Sequence, residues 1–449
     1  MYQRFRILAA FAGLVACTSL VEVAPRARSL TVTPASVTVL LDSLVHVTAT
    51  VAGGTDTLVA WFVFDTTVAA TSRGDVTGLN LGTTELLVAA DTLSVRVPVT
   101  VVERLRAVSP GLFKNCALAA DGRAECWARW TLPSIVPGPT RFVSVATGDD
   151  HACGLTAGGA AWCWGNGAIG DGTDSSRTMP VQVKDGASFQ QIVSGSNFSC
   201  GLTTGGDARC WGTNTSGVLG SGNRALTPVS PASGFTFSAI TAGNDHACGL
   251  TATGAVYCWG DNSLGQTGDT ANTGTTYAPV RVQPLPVVTA FSAGDLHTCA
   301  MTAQGDAWCW GDNWLAQLGD SAGTGCSYYA AYYPQWLSRC SRTPLHVKGG
   351  LSFTALTMGN NHTCGLDSGH RAWCWGDNAL GQFGDGGLAA GGPMPQPAAS
   401  GMTFTSLAGK WNATCAVATD GRAYCWGAAL GGENLGHVDK NPIRLAYQP

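Results

Sequence analysis

The stretch His246-Ala-Cys-Gly-Leu-Thr-Ala-Thr-Gly-Ala-Val-Tyr-Cys-Trp-Gly-Asp-Asn262 decides how this chain is read. Two short apolar runs flank Thr-Ala-Thr-Gly (251–254), a turn-forming tetrapeptide, so the segment reads as a β-hairpin. Cys248 and Cys258 stand equidistant from the turn and face each other across it. Directly opposed residues in a non-hydrogen-bonded antiparallel pair have Cα atoms about 4.5 Å apart, within reach of a disulfide.

The same C-x9-C spacing recurs in Cys116/Cys126, Cys153/Cys163, Cys200/Cys210, Cys299/Cys309, Cys364/Cys374 and Cys415/Cys425. First cysteines are separated by 37, 47, 48, 51, 65 and 51 residues. A period near 50 marks a repeat architecture, and propeller blades are the all-β option at that length. Eleven residues before each first cysteine stands Leu105, Phe142, Phe189, Phe237, Val288, Phe353 or Phe404. Eight before it stands Val108, Val145, Ile192, Ile240, Phe291, Leu356 or Leu407, and every second cysteine is followed by Trp. Stacked identical units need such fixed apolar offsets to bury a shared core.

Of 17 cysteines, 14 belong to these pairs, Cys326/Cys340 form an eighth pair, and Cys17 is left over. Even pairing points to a bridge in each hairpin. The rival readings are zinc sites and buried free thiols: His151, His246, His297 and His362 each lie two residues before a cysteine and add a third ligand type. Lys114, Phe198 and Ala413 stand at that position in the other units while both cysteines remain. A disulfide tolerates this and a Cys2His site does not, so the histidines are expected to be core hydrogen-bonding residues.

The units His151-Ala-Cys-Gly-Leu-Thr156, Tyr257-Cys-Trp-Gly-Asp-Asn262, Leu264-Gly-Gln-Thr-Gly-Asp269, Trp373-Cys-Trp-Gly-Asp-Asn378 and Leu380-Gly-Gln-Phe-Gly-Asp385 resemble the regulator of chromosome condensation repeat. Seven copies cover about 345 residues. The resemblance implies an all-β, seven-bladed propeller with four strands per blade. Repeat one departs from it, reading Trp127-Ala-Arg-Trp130, and repeat seven has Gly409 displaced by one place. Most repeats are preceded by a Pro-apolar strand (Pro180 to Val183, Pro279 to Val282, Pro344 to Val347), whereas the first has none upstream. The spare copy Pro442-Ile-Arg-Leu445 is therefore expected to complete the first blade and close the ring.

Upstream, Arg4 and Arg6 precede the apolar run Ile7 to Val15, which is too short to span a bilayer and fits a signal peptide. Leu14-Val-Ala-Cys17 resembles the bacterial lipobox, implying a chain lipidated at Cys17 and held on the bacterial envelope, at the outer membrane or cell surface. Residues 1–17 are thus a lipoprotein signal peptide and 18–28 a linker. Residues 29–103 alternate apolar and polar positions. Leu30-Thr-Val-Thr-Pro-Ala-Ser-Val37 and Arg73-Gly-Asp-Val-Thr-Gly-Leu-Asn-Leu-Gly-Thr83 resemble the bacterial Ig-like domain of group two, with Trp61 in its core. The propeller occupies 104–449, with an insertion at 321–341.

Charged residues make up only 12% of the 449, net charge is −4, and no basic stripe is present, which argues against a nucleic-acid partner. No phosphate loop, zinc-protease helix or nucleophile elbow occurs. No cofactor or catalytic residue is expected. Asp261, Asp312 and Asp377 recur at one position and Asp269, Asp320 and Asp385 at another, as loop-holding residues do. Calcium is the other reading of these carboxylates, although the ligand spacing of a known calcium loop is missing.

The insertion breaks the repeat. Tyr328, Tyr329, Tyr332, Tyr333 and Trp336 lie between Cys326 and Cys340, with Trp314 just before and Arg339 and Arg342 beside them. Tyr, Trp and Arg concentrate binding energy, and a constrained loop loses less entropy on binding. The other reading is that these aromatics pack the loop against the propeller. The sequence thus points to a membrane-anchored, non-enzymatic binding protein with a protein or glycan partner. An inhibitor of an extracellular enzyme, since a secreted β-lactamase inhibitor has a similar propeller, and guanine-nucleotide exchange, by family resemblance, are the alternatives.

Overall fold

The computed structural model describes residues 29–444 apart from 42, 54–57, 80–81, 91, 103–104, 129–133, 139, 221, 327–337, 389–390 and 429–438. The chain divides into two compact units, Met1–Val102 and Glu103–Gln448. In the first, a four-stranded sheet runs in the order Val37–Leu40, Leu93–Val102, Gly82–Ala90, Val59–Val63, and Leu44–His46, Asp75–Gly78 and Ala69–Ser72 form a second sheet. Alternation places Val37, Val39, Leu86, Val88, Val97, Val99 and Val101 in one buried cluster, against which Trp61 packs.

The second unit is a seven-bladed β-propeller. Blade 4 shows the plan: Ala239–Ala242, His246–Leu250, Val256–Asp261 and Thr275–Arg281 pair in sequence order as an antiparallel meander. Each of the seven blades follows it, and blade 5 gains a fifth strand, Thr324–Cys326, paired with Ser338–His346.

In every blade the two cysteines are directly opposed in the central hairpin and bridged. The seven bonds join Cys116 to Cys126, Cys153 to Cys163, Cys200 to Cys210 and Cys248 to Cys258 in blades 1 to 4. Blades 5 to 7 carry Cys299 to Cys309, Cys364 to Cys374 and Cys415 to Cys425. Their Cα atoms lie 4.0 to 4.1 Å apart. This is closer than the roughly 4.5 Å expected of an opposed pair, because the bridge draws the strands together. Thirteen of these cysteines are buried, Cys210 and Cys374 among them, whereas Cys126 is half-buried. The outer strand of its blade, Ser134–Ile135, is only two residues long and covers it incompletely.

First strands of neighbouring blades lie against one another around a closed circle, Leu105–Ser109 meeting both Ser144–Thr147 and Phe404–Lys410. A repeated hydrogen bond marks each junction. The apolar residue that opens a blade donates its N–H to the hairpin turn of the blade before: Phe142 to Gly122 O at 2.7 Å, Phe189 to Gly159 O at 2.8 Å, Phe237 to Gly206 O at 2.8 Å. The last of these, Leu105 N–H to Gly421 O at 3.1 Å, joins blade 1 to blade 7. Leu105, Val108 and Trp127 share one buried cluster with Val417, Ala423 and Cys425.

The C-terminal strand corrects one expectation. Asp439–Arg444 is the outer strand of blade 7, not of blade 1: Ile443 pairs with Cys425 as Val181 pairs with Cys163 and Val280 with Cys258. The Pro-apolar strand therefore ends the unit it follows rather than opening the next. Blade 1 has its own outer strand, in which Ser134 pairs with Cys126, without the motif. Closure rests on packing of whole blades, since a chain running outward strand by strand returns to the axis only to begin a new blade.

Candidate functional site

In blades 2 to 7 the turn between the first two strands is bonded to the loop that follows Cys-Trp. Asn166 N–H donates to Asp150 O at 3.1 Å, Asp261 to Asp245 O at 2.9 Å, Asp377 to Asn361 O at 2.8 Å and Ala428 to Asn412 O at 2.9 Å. Axial turns and Asp/Asn loops thus share one face of the ring. The insertion emerges there too, because it lies between the third strand and the outer strand of blade 5.

The loops are held from within. Asn262 Nδ2 donates to Asp269 O at 2.8 Å while its Oδ1 accepts from Thr267 N–H at 3.1 Å. Gln266 Nε2 donates to Asp261 at 2.8 Å, and Gln317 and Gln382 repeat this with Asp312 and Asp377. Asp320 pairs with Lys348 at 2.9 Å, and Asp385 accepts from Gly387 N–H at 2.9 Å. The carboxylates serve the turns. Burial raises the Asp312 carboxyl to about 6 against the hydrogen bonds from Trp314, Gln317 and Asn313.

The histidines belong to the blade junctions. His246 Nε2 lies 2.8 Å from Thr298 Oγ1, which donates to Gln266 O at 3.0 Å, and Trp310 Nε1 donates to the same carbonyl at 3.0 Å. His297, Thr363, Gln317 and Trp375 repeat the set, as do His362, Thr414, Gln382 and Trp426. The hydroxyl gives its one proton to the carbonyl, so the imidazole must donate from Nε2. Burial holds these three rings down at about 3, and His151, bonded to Ser199, at about 4.

At the axis the backbones come too close for side chains. A Cβ on Gly148 would lie 2.6 Å from Gly195 O, and one on Gly359 2.3 Å from Trp411 O. Blade 7 departs from the ring: its first strand, Phe404–Lys410, runs one residue further, to a tight turn at Trp411, whose φ is +49°. Lys410 Nζ is thereby placed 3.1 Å from Asp295 of blade 5, both side chains more than nine-tenths buried. Trp411 N–H donates to Asp295 at 3.0 Å and its Nε1 to Asp149 of blade 2 at 3.2 Å, where Ser196 also donates. Sequence reasoning missed this latch, although the displaced Gly409 was its trace.

Of the residues singled out in the sequence, Cys17, Tyr328, Tyr329, Tyr332, Tyr333 and Trp336 lie outside the described residues, as does the side chain of Cys326. Cys340 is buried and disulfide-bonded. Trp314 is half-buried beside the stem of the insertion, and Arg339 is exposed on that stem, its carbonyl accepting from Asn313 N–H at 2.8 Å. The blade cysteines are spread around the ring as staples, one pair to a blade, and do not converge on a site. In each bridge both sulfurs are spent on each other, Cys126 on Cys116, Cys210 on Cys200 and Cys374 on Cys364, as in the other four.

Five stretches, residues 142–168, 189–218, 237–266, 288–313 and 353–382, match the model of the regulator of chromosome condensation (RCC1) repeat. They fall in blades 2 to 6. The mitochondrial RCC1 domain-containing protein RUG3 of Arabidopsis thaliana is 27% identical over 180 residues, 39% of this chain and 38% of that protein. The chain thus spans well under half of that relative. Among solved structures, Prp20p from Saccharomyces cerevisiae superposes with a TM-score of 0.60 at 21% identity, over 70% of this chain and 80% of that one. Human WBSCR16 does so with a TM-score of 0.58 at 16% identity, over 80% and 97%. Blades 2 to 6 thus hold stretches that match the RCC1 repeat, and the second unit has the fold of an RCC1-like propeller.

Proposed function

We propose that the protein is a non-enzymatic binding platform, exported and lipid-anchored through Cys17, with residues 29–103 as an Ig-like spacer and one propeller face turned to a protein or glycan partner. One observation carries the reading: the insertion, the Asp/Asn loops and the axial latch all emerge on the same face. Features that break a repeat where its loops converge are what a specific partner can read, and a rigid scaffold limits the entropy lost on binding. The blade disulfides favour an oxidising compartment outside the cytoplasm. The buried polar groups at the axis are spent on one another, Lys410 on Asp295 and the Trp411 indole N–H on Asp149, which suits a scaffold better than a catalytic centre. Exchange-factor-like activity is the second reading, favoured by the likeness to Prp20p, whose described binding to Gsp1p and histones belongs to that protein.

Processing and binding are tested separately. Processing blocked by globomycin, with palmitate label lost in Cys17→Ser, is the expected outcome, and drug-indifferent processing without label overturns the anchor. Cross-linking on intact cells is expected to trap a partner with the wild type. A variant with Tyr328, Tyr329, Tyr332, Tyr333 and Trp336 all changed to Ser should trap less than about a tenth as much, given how few residues dominate interfaces. Equal trapping removes the insertion from the site.

A further inference from the structure

The junction of blades 1 and 2 is where the repeated network fails in every member. Lys114 stands in place of the histidine, Ala152 in place of the hydroxyl, and the Leu-Gly-Gln loop is missing after Trp127. Trp164, at the position of Trp310, is buried, and its Nε1–H has no acceptor among the described residues. At the blade 7–1 junction Ala413 and Asn115 likewise replace the histidine and the hydroxyl; in the remaining junctions any losses are compensated or partial. Phe198 faces Ala247 in the blade 3–4 junction, yet Trp259 still donates to Val218 O at 2.8 Å. Trp211 also lacks an acceptor, but there His151 and Ser199 keep their bond.

What the missing groups leave is a cavity of about 220 Å³ lined by Lys114, Trp127, Trp164, Ser134, Ile135 and Thr178. It opens at the loop face, because Lys114 begins a second strand, Trp127 is next to last in a third and Ser134 begins an outer one. The volume equals roughly seven waters at about 30 Å³ each. Its polar lining carries one cation, Lys114, beside the side chains of Ser134 and Thr178. No hydrogen bond or ion pair holds the Lys114 ammonium among the described residues. Its walls are indole rings, Ile135 and the bridge from Cys126 to Cys116. Asp150 is the one carboxylate whose charge the ammonium senses, and burial depresses the lysine despite it.

We propose that this cavity is a binding site for a small aromatic carboxylate. The ring lies against Trp127 and Trp164, and the carboxylate accepts from Lys114. An anionic group on a flat apolar body is the chemistry that pairs the ammonium and covers the apolar wall at once. The site is independent of the partner proposed for the propeller face, so either can fail without the other.

Fluorine NMR with the full chain and para-fluorobenzoate tests it. The probe signal should broaden with the wild type, and para-fluorobenzamide, the neutral isostere, should bind at least about tenfold more weakly, since a hydrogen bond to a charged group contributes roughly 1.5–3 kcal/mol. Lys114→Met should lose about tenfold in affinity and Trp164→Phe several-fold, each variant keeping the wild-type thermal midpoint within a few degrees. Benzoate binding no tighter than benzamide, or binding undiminished in Lys114→Met, overturns the proposal. Should Lys114→Met fold poorly, Lys114→Arg provides the alternative: retained binding supports a cation at this position, and loss of discrimination between acid and amide overturns it.

Discussion

At the scale of single residues, a buried imidazole, a hydroxyl, a backbone carbonyl and an indole tie each of blades 4 to 6 to the next. The sequence shows His and Trp at fixed offsets from the cysteines, and from these the histidines are legible as core hydrogen-bonding groups. The acceptor is not, because a main-chain carbonyl at Gln266, Gln317 or Gln382 has no side-chain signature. The unfolded histidines titrate near 6.5 and His246, His297 and His362 near 3 when folded, depressed by burial. Below pH 6.5 the unfolded chain therefore binds protons that the folded one refuses, and stability falls from about pH 6.5 towards pH 3. Asp312 acts the other way: raised to about 6 by burial, it takes up its proton in the folded state first and offsets a small part of the loss. The thermal midpoint should drop steadily between pH 7 and pH 4, with a shallower slope in His297→Gln; a flat profile would contradict neutral buried rings. Thr363→Val, which strands the Nε2–H of His297, should cost about 1–3 kcal/mol in chemical denaturation, and Thr363→Ser much less.

At the scale of the element, the C-x9-C hairpin was fully legible, because a turn midway between two cysteines permits only one antiparallel register. The outer strand was misassigned for an equally physical reason. Its pairing with the third strand is interrupted by a register shift between Cys and Gly, as between Cys258 and Gly260, so no fixed spacing ties it to its own hairpin. Proline placement fits an outer edge, where a missing N–H faces solvent, but does not say which blade owns the edge. Each staple closes a short loop, and loop-closure entropy assigns it about 2–3 kcal/mol. Replacing Cys299 and Cys309 together by Ala should lower unfolding free energy by at least that much, since both are fully buried and their loss also leaves a void. Denaturant titration of oxidised protein measures it, and a loss below about 1 kcal/mol, well under the range for closing such a loop, would mean that the hairpin is held by its neighbours instead.

At the scale of the whole molecule, periodicity explains what could be foreseen and departures from it explain what could not. A repeat announces the ring, because each unit must satisfy the same neighbours. The latch at Lys410 and Trp411 and the cavity at Lys114 arise where one unit differs, and the effect depends on which residues lie two blades away. Leu105 N–H to Gly421 O alone resembles every other junction, so nothing in the repeat itself distinguishes the seam between first and last blades. The latch does: it reaches from blade 7 to Asp295 in blade 5 and Asp149 in blade 2, spanning the seam from inside. Removing one member of a buried ion pair leaves the other charge without compensation, which typically costs about 3–5 kcal/mol, whereas removing both is close to neutral. Lys410→Met should therefore destabilise the propeller by about 3 kcal/mol, and adding Asp295→Leu should restore most of it. If the latch holds the seam, protection of the Leu105 amide in hydrogen exchange should fall in Lys410→Met by far more than that of Phe237, on the opposite side of the ring. Equal losses at both amides would show that Lys410 supports the axis as a whole and that closure rests on blade packing alone.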